Sequence, residues 1–164
     1  MTGSTKIKWI NVFGLILRPL VNMSFQFSII TGYYYAGQAK LNGGIITSLF
    51  ATYCIFTSII FRFLFKEKLE TKFLFGIFFM MACVAIISLQ SLDLGSQLNE
   101  NALYALSFGL LAPFLISVSI SISRYWTVNF DYKSFDFTVD TFFTISLYEI
   151  GFFVYFNGIE PYTW

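Results

Sequence analysis

GGIITSLFATYCIFTSIIF, residues 43–61, contains no charged residue and is about as long as a bilayer core is thick. That core is about 30 Å deep, and a helix rising about 1.5 Å per residue needs about 20 residues to cross it. Two further uncharged runs, Phe73 to Leu92 and Asn101 to Ser123, fall in the same length class. Apolar stretches also flank them, Ile10 to Gly37 and Phe135 to Phe156, each broken by a few polar or charged residues. The repetition predicts an all-α protein: a polytopic transmembrane bundle of about five helices.

The composition agrees. Hydrophobic residues make up 57% of the 164-residue chain and charged residues 12%, about half the share usual in a soluble domain. No Pro/Gly/Ser-rich linker divides the chain, so residues 1–164 read as one membrane domain. A net charge of +1 without a clustered basic face excludes nucleic acid as a partner. The absence of histidine excludes His-based metal sites and Ser-His or Cys-His catalysis. Cys54 and Cys83 lie inside apolar runs with no CxxC company, and they read as small buried hydrophobes. No cofactor or metal is implied.

Five helices are predicted: Ile10 to Gly37, Gly44 to Phe65, Phe73 to Leu92, Ala102 to Trp126 and Phe135 to Phe156. The polar breaks between them are QAKLNGG, KEKLETK, DLGSQLNE and NFDYKSFD. The start of the chain, with Lys6 and Lys8 before an apolar run, superficially resembles a secretory signal. Arg18-Pro19 follows where a small-residue cleavage site would stand, so the segment reads as a mature helix. The sequon Asn22-Met23-Ser24 lies within that helix and reads as chance. ISVSISIS (residues 116–123) alternates like a strand, but an open strand edge leaves its backbone unpaired in lipid, and helix is predicted there.

Basic residues set the orientation. With the N-terminus cytoplasmic and five crossings, Lys6, Lys8, Arg62, Lys66, Lys68, Lys72, Arg124 and Lys133 share the cytoplasmic side. The opposite side keeps Lys40 with Asp93, Glu100 and Glu160, and the C-terminus is predicted there. Which membrane this is, the residues do not say.

Several helix faces carry a pattern. Small residues at Thr47, Ala51, Cys54 and Ser58, and at Ala102, Ala105, Gly109 and Ala112, let helix backbones approach, within one bundle or between copies. The first helix is different: Arg18, Asn22, Gln26 and Tyr33 fall within about 80° of one another. A charge and two amides are costly against lipid and normally face a bundle interior or a watered cavity. Two readings stand for this stripe. It lines a substrate pathway with Arg18 as an anion-binding or gating charge, or Arg18 snorkels to the headgroups while the amides tie helices together.

On the fifth helix Asp136, Asp140, Thr144 and Tyr148 are spaced by fours, and Glu149 lies on another face. The aspartates read as interfacial residues. Glu149 sits mid-helix, where a carboxylate must be paired, protonated or wet, and proton coupling through it is one reading. Hydrolysis is not expected. The two aspartates share one helix, no second motif supplies a partner, and neither GxSxG nor HExxH occurs.

The stretch from residue 43 to 88, GGIITSLFATYCIFTSIIFRFLFKEKLETKFLFGIFFMMACVAIIS, resembles the EamA-type repeat of the drug/metabolite transporter superfamily. Its marks here are Glu67 and Leu69 in the turn, Gly76 opening the next helix, then Cys83 (usually glycine) and Val84. The likeness spans about Leu15 to Leu89. Residues 10–92 would be the end of a first repeat and 102–156 the start of a second. The resemblance implies an inverted-repeat carrier of ten helices moving a small metabolite by alternating access, with Glu67 a turn and packing residue. Aligned so, the chain covers the third to the seventh helix, as a fragment, a degenerate copy, or a half-unit completed by a second copy or the missing half. The alternative is a non-transporting membrane subunit whose polar stripe and small faces bind partner helices.

Overall fold

Lipid cannot hydrogen-bond a peptide group, so each apolar run must satisfy its backbone internally. The computed structural model describes residues 9–68, 70–91, 100–130 and 132–159, with the side chains of 10, 87–91 and 156–159 outside the description. Six helices occupy these residues: α1 (Trp9–Gln38), α2 (Gly44–Phe50), α3 (Tyr53–Phe65), α4 (Thr71–Ser91), α5 (Glu100–Asn129) and α6 (Ser134–Ile159). There is no strand among the described residues, and ISVSISIS lies inside α5. Lys6, Lys8, Leu69, Leu92, Asp93 and Glu160 fall outside the description, with most of the DLGSQLNE break.

Each expected segment forms helix, but the second forms two. At the joint, the Ala51 and Thr52 N–H groups bond three residues back, to Ser48 O at 3.1 Å and Leu49 O at 3.0 Å. Two hydroxyls do the same: Ser48 donates to Ile45 O at 2.8 Å and Thr52 to Leu49 O at 2.7 Å. Hydroxyls returned to carbonyls three back favour a tightened 3₁₀-like turn over the α ladder. Thr52 O then accepts from both Ile55 and Phe56, at 2.9 and 3.3 Å, and the helix restarts.

Four stretches are long and apolar enough to cross a membrane: Asn11–Gln38, Gly44–Phe65, Glu100–Asn129 and Ser134–Tyr155. The described apolar part of α4, Thr71–Ile86, is shorter than these, although its backbone continues helical to Ser91. This is the architecture of a multi-pass helical membrane protein.

The chain divides into two compact units whose boundaries fall inside α1 and α5. In Val21–Ser121, α5 packs against α1, α2 and α3. Gly32 of α1 lies against the α5 backbone, where an added Cβ would stand 3.5 Å from Gly109 N and 3.7 Å from Ala105 O. Ala36, Ile46 and Ala105 form the buried centre there, with Ile29, Tyr35 and Leu41 packed around it. A Cβ on Gly109 would in turn meet Ile46 at 3.1 Å and Leu49 at 3.2 Å. Further along α5, Phe114 meets Phe56 edge-on at 5.8 Å and the buried Ser117 hydroxyl reaches Tyr53 O at 2.8 Å. Partners thus advance from Ile46 to Tyr53 as α5 advances from Gly109 to Ser117, so these helices run in the same direction. The remaining helix, α4, packs against α2.

The other unit draws on Met1–Leu20 and Ile122–Trp164. Here Trp126, buried near the end of α5, covers Gly14 of α1 and contacts Phe13 and Phe130, with ring centroids 6.4 and 5.7 Å away. Pro19 and Phe137 are fully buried.

A methyl group at Gly14 would overlap the indole of Trp126, so Gly14→Ala must displace that ring. It is expected to cost about 1–3 kcal/mol of stability. The emission of Trp126 should shift too, read with Trp9 and Trp164 replaced by phenylalanine. Gly76→Ala is the control: nothing lies within 4 Å of its added Cβ, and it should be neutral or stabilising by up to about 1 kcal/mol.

Candidate functional site

Positions 18, 22 and 26 follow one another by single turns of α1, and the structure gives each a different surrounding. Arg18 is half-buried. Its Nη1 donates to Thr141 Oγ1 at 3.1 Å, and its Cζ stands 5.2 Å from the centre of the Phe137 ring. Phe137 is 0% and Thr141 2% exposed, so this face of α6 is closed to everything except its neighbours. The Thr141 hydroxyl gives its own hydrogen to Phe137 O at 2.6 Å, and therefore meets Arg18 with a lone pair.

The nearest carboxylate in sequence, Asp140, lies about 100° round the helix from Thr141. It accepts the hydroxyl of Tyr132 instead. Arg18 has no carboxylate partner among the described residues.

Tyr132 lies between the α5 and α6 spans, its ring edge-on to Phe137 at 5.2 Å. Burial pushes its phenol pKa up to about 12, helped by the Asp140 hydrogen bond and charge and then by the charge of Asp136. The hydroxyl stays protonated and donates at any physiological pH.

Asn22 and Gln26 are half-buried and make no side-chain hydrogen bond among the described residues. Tyr33, at the far end of the stripe, is exposed. Its hydroxyl bonds that of Thr47 at 2.8 Å, and Thr47 donates to Gly43 O at 3.3 Å. Tyr33 thereby braces the turn between α1 and α2. Sequence reading missed Asn11, two turns before Arg18 on the same face, whose Oδ1 is buried without a partner among the described residues. The spacing of seven was the available signal. Nothing in the sequence marked Phe137 or Thr141 as the neighbours of Arg18.

The other positions are placed as follows. Ser58 is buried, Ala51 and Cys54 are half-buried and Thr47 is exposed, whereas Ala102, Ala105, Gly109 and Ala112 are all buried. Cys83 is exposed, contrary to the expectation of a buried thiol, because α4 leaves most of its surface uncovered. Val84 beside it is buried, and Gly76 has open space around it. Glu67 is half-buried, and its carbonyl accepts from Arg62 Nη1 at 3.0 Å. On α6, Asp136 and Glu149 are exposed, and Asp140, Thr144 and Tyr148 are half-buried.

A cavity of about 480 Å³ opens between α3 and the start of α4, lined in part by Tyr53, Thr57, Phe61, Glu67, Glu70 and Phe73. Its volume is in the range of small-molecule sites, about 300–1,000 Å³. Thr57 Oγ1 is buried without a hydrogen-bond partner among the described residues. None of the four stripe residues of α1 lines this cavity. Compared with protein-family models, curated proteins and solved structures, the chain matches none.

Tyr132→Phe removes the hydroxyl that occupies Asp140, a loss of about 1–3 kcal/mol for a hydrogen bond to a charged acceptor. A phenol whose folded pKa is raised lends its full stabilisation below the ordinary pKa of 10.0 and loses it as pH climbs through about 12. The wild-type-to-variant difference in melting temperature is therefore expected to be constant from about pH 6 to about pH 9, and to shrink only in strong alkali.

Proposed function

We propose that the chain is a solute-transporting membrane protein of the drug/metabolite (EamA-like) type. It would move a small metabolite by alternating access, with the Arg18, Asn22, Gln26 and Tyr33 face of α1 along the path. The observation that carries this reading is unused hydrogen-bonding capacity inside a span. Asn22 and Gln26 have no side-chain partner among the described residues, and Arg18 gives a single hydrogen bond to Thr141. Groups of this kind are costly in lipid and affordable beside a solute or water.

One interrupted helix supports the same reading: the Ala51–Thr52 joint divides α2 from α3, while α1 and α5 run unbroken through Pro19 and Pro113. Carriers place broken helices where backbone groups must serve a cavity or allow movement. Such a path needs no cofactor or covalent chemistry from the chain. The sidedness of its charges favours a cytoplasmic 66–72 turn.

The same amides would also suit a subunit that binds a partner helix, and one pair of variants separates the two. Asn22→Leu and Gln26→Leu in reconstituted vesicles are expected to cut solute flux about 10-fold or more while leaving assembly in mild detergent intact. Loss of assembly would establish the subunit instead. Unchanged flux and assembly would sink both uses of the stripe.

A further inference from the structure

A guanidinium has five N–H donors and no acceptor, and it keeps its charge in any protein setting. In Arg18 one donor of Nη1 goes to Thr141 Oγ1, and Cζ lies over the Phe137 ring, 5.2 Å from its centre. These contacts leave the Nε–Nη2 edge, two parallel N–H groups, with no partner among the described residues. Nor are those nitrogens sealed in. Asn11 Oδ1 and Thr57 Oγ1 are the buried side-chain nitrogen or oxygen atoms left without a partner among the described residues, and Arg18 contributes none.

Among the described residues no carboxylate meets Arg18. Phe137 and Thr141, one turn apart, present a ring and a lone pair to Arg18, while Asp140 is turned aside and occupied by Tyr132. An open donor edge on a cation in a membrane helix is satisfied by water, a lipid head or a bound anion.

The geometry points to Arg18 as an oxyanion-binding group, whose Nε–Nη2 edge takes a phosphate- or carboxylate-type head in two parallel hydrogen bonds. The fork selects a planar or tetrahedral oxyanion over a halide, because two oxygens about as far apart as the two nitrogens can be engaged together. The Phe137 ring and the Thr141 hydroxyl hold the guanidinium against α6. The oxyanion can come from a dissolved solute or from a phospholipid head. That it is the transported solute rests on the transport reading; that Arg18 binds it does not.

The test uses the full chain with two probes. Inorganic phosphate is titrated against protein in phosphatidylcholine nanodiscs, with thermal stabilisation as the readout. In parallel, native mass spectrometry follows uptake of phosphatidic acid against phosphatidylcholine from detergent. Arg18→Gln should weaken binding about 10-fold or more, and Arg18→Lys, which keeps the charge and loses the fork, by a smaller factor. Helical circular dichroism checks both variants, and should Arg18→Gln not fold, Arg18→Lys decides.

Phosphate binding that depends on Arg18 supports the site with a soluble ligand. Uptake of phosphatidic acid alone, equally dependent on Arg18, supports the site but removes Arg18 from the transport path. If wild type and variants bind both probes alike, or wild type binds neither, Arg18 is no oxyanion site.

Discussion

Lipid offers no hydrogen bonds, and that constraint governs how the polar atoms of this chain are placed. Hydroxyls inside the helices return to carbonyls one turn back: Ser28 to Ser24, Ser58 to Cys54, Ser121 to Ser117, Thr144 to Asp140. A serine or threonine is therefore inexpensive in a span, which explains how ISVSISIS can be part of α5. Where such a hydroxyl reaches back three residues instead of four, as at Ser48 and Thr52, the helix itself gives way and α2 parts from α3. Pro113 removes one N–H from α5, four residues after Gly109. That stretch is also where α5 meets α2, through Ile46 and Leu49.

Arg18 cannot follow the rule of the hydroxyls, since it has only donors and too many of them. Its surroundings divide the work between a ring, a lone pair and an open edge. The adjacent carboxylate serves Tyr132, whose raised pKa keeps that pairing indifferent to physiological pH. The result is a positive charge inside a span held in place without a carboxylate partner among the described residues. Most hydroxyls of the described helices settle internally, whereas Arg18, Asn22 and Gln26 keep unused donors along one face of α1, and function is sought on that face. Asn11 and Thr57 also keep an unpartnered oxygen among the described residues.

The helices were legible because length and apolarity are properties of contiguous sequence. Their ends shifted by one to three residues, and the small-residue face of α5 could be read from spacing alone. The Ala51–Thr52 joint could not. It depends on which carbonyl a hydroxyl chooses, and both choices look the same in one-letter code. Phe137 and Thr141 were hidden for another reason: Arg18 lies more than a hundred residues away, and single-helix periodicity carries no information on which faces meet. Thr47 and Ala102 belong to similar small-residue patterns, yet one is exposed and the other buried. Spacing shows that a face is able to pack; it does not show which neighbour arrives.

The crossing number is the feature on which orientation, repeat likeness and pathway all depend, and α4 decides it. Single cysteines at Lys68 and at Lys133, in a background lacking Cys54 and Cys83, can be labelled with an impermeant maleimide in sealed vesicles of one orientation. If α4 and α5 both cross, the two positions lie on the same side and react together. If Lys68 and Lys133 instead react from opposite faces, α4 does not cross, and both the five-helix topology and its likeness to a carrier repeat fail.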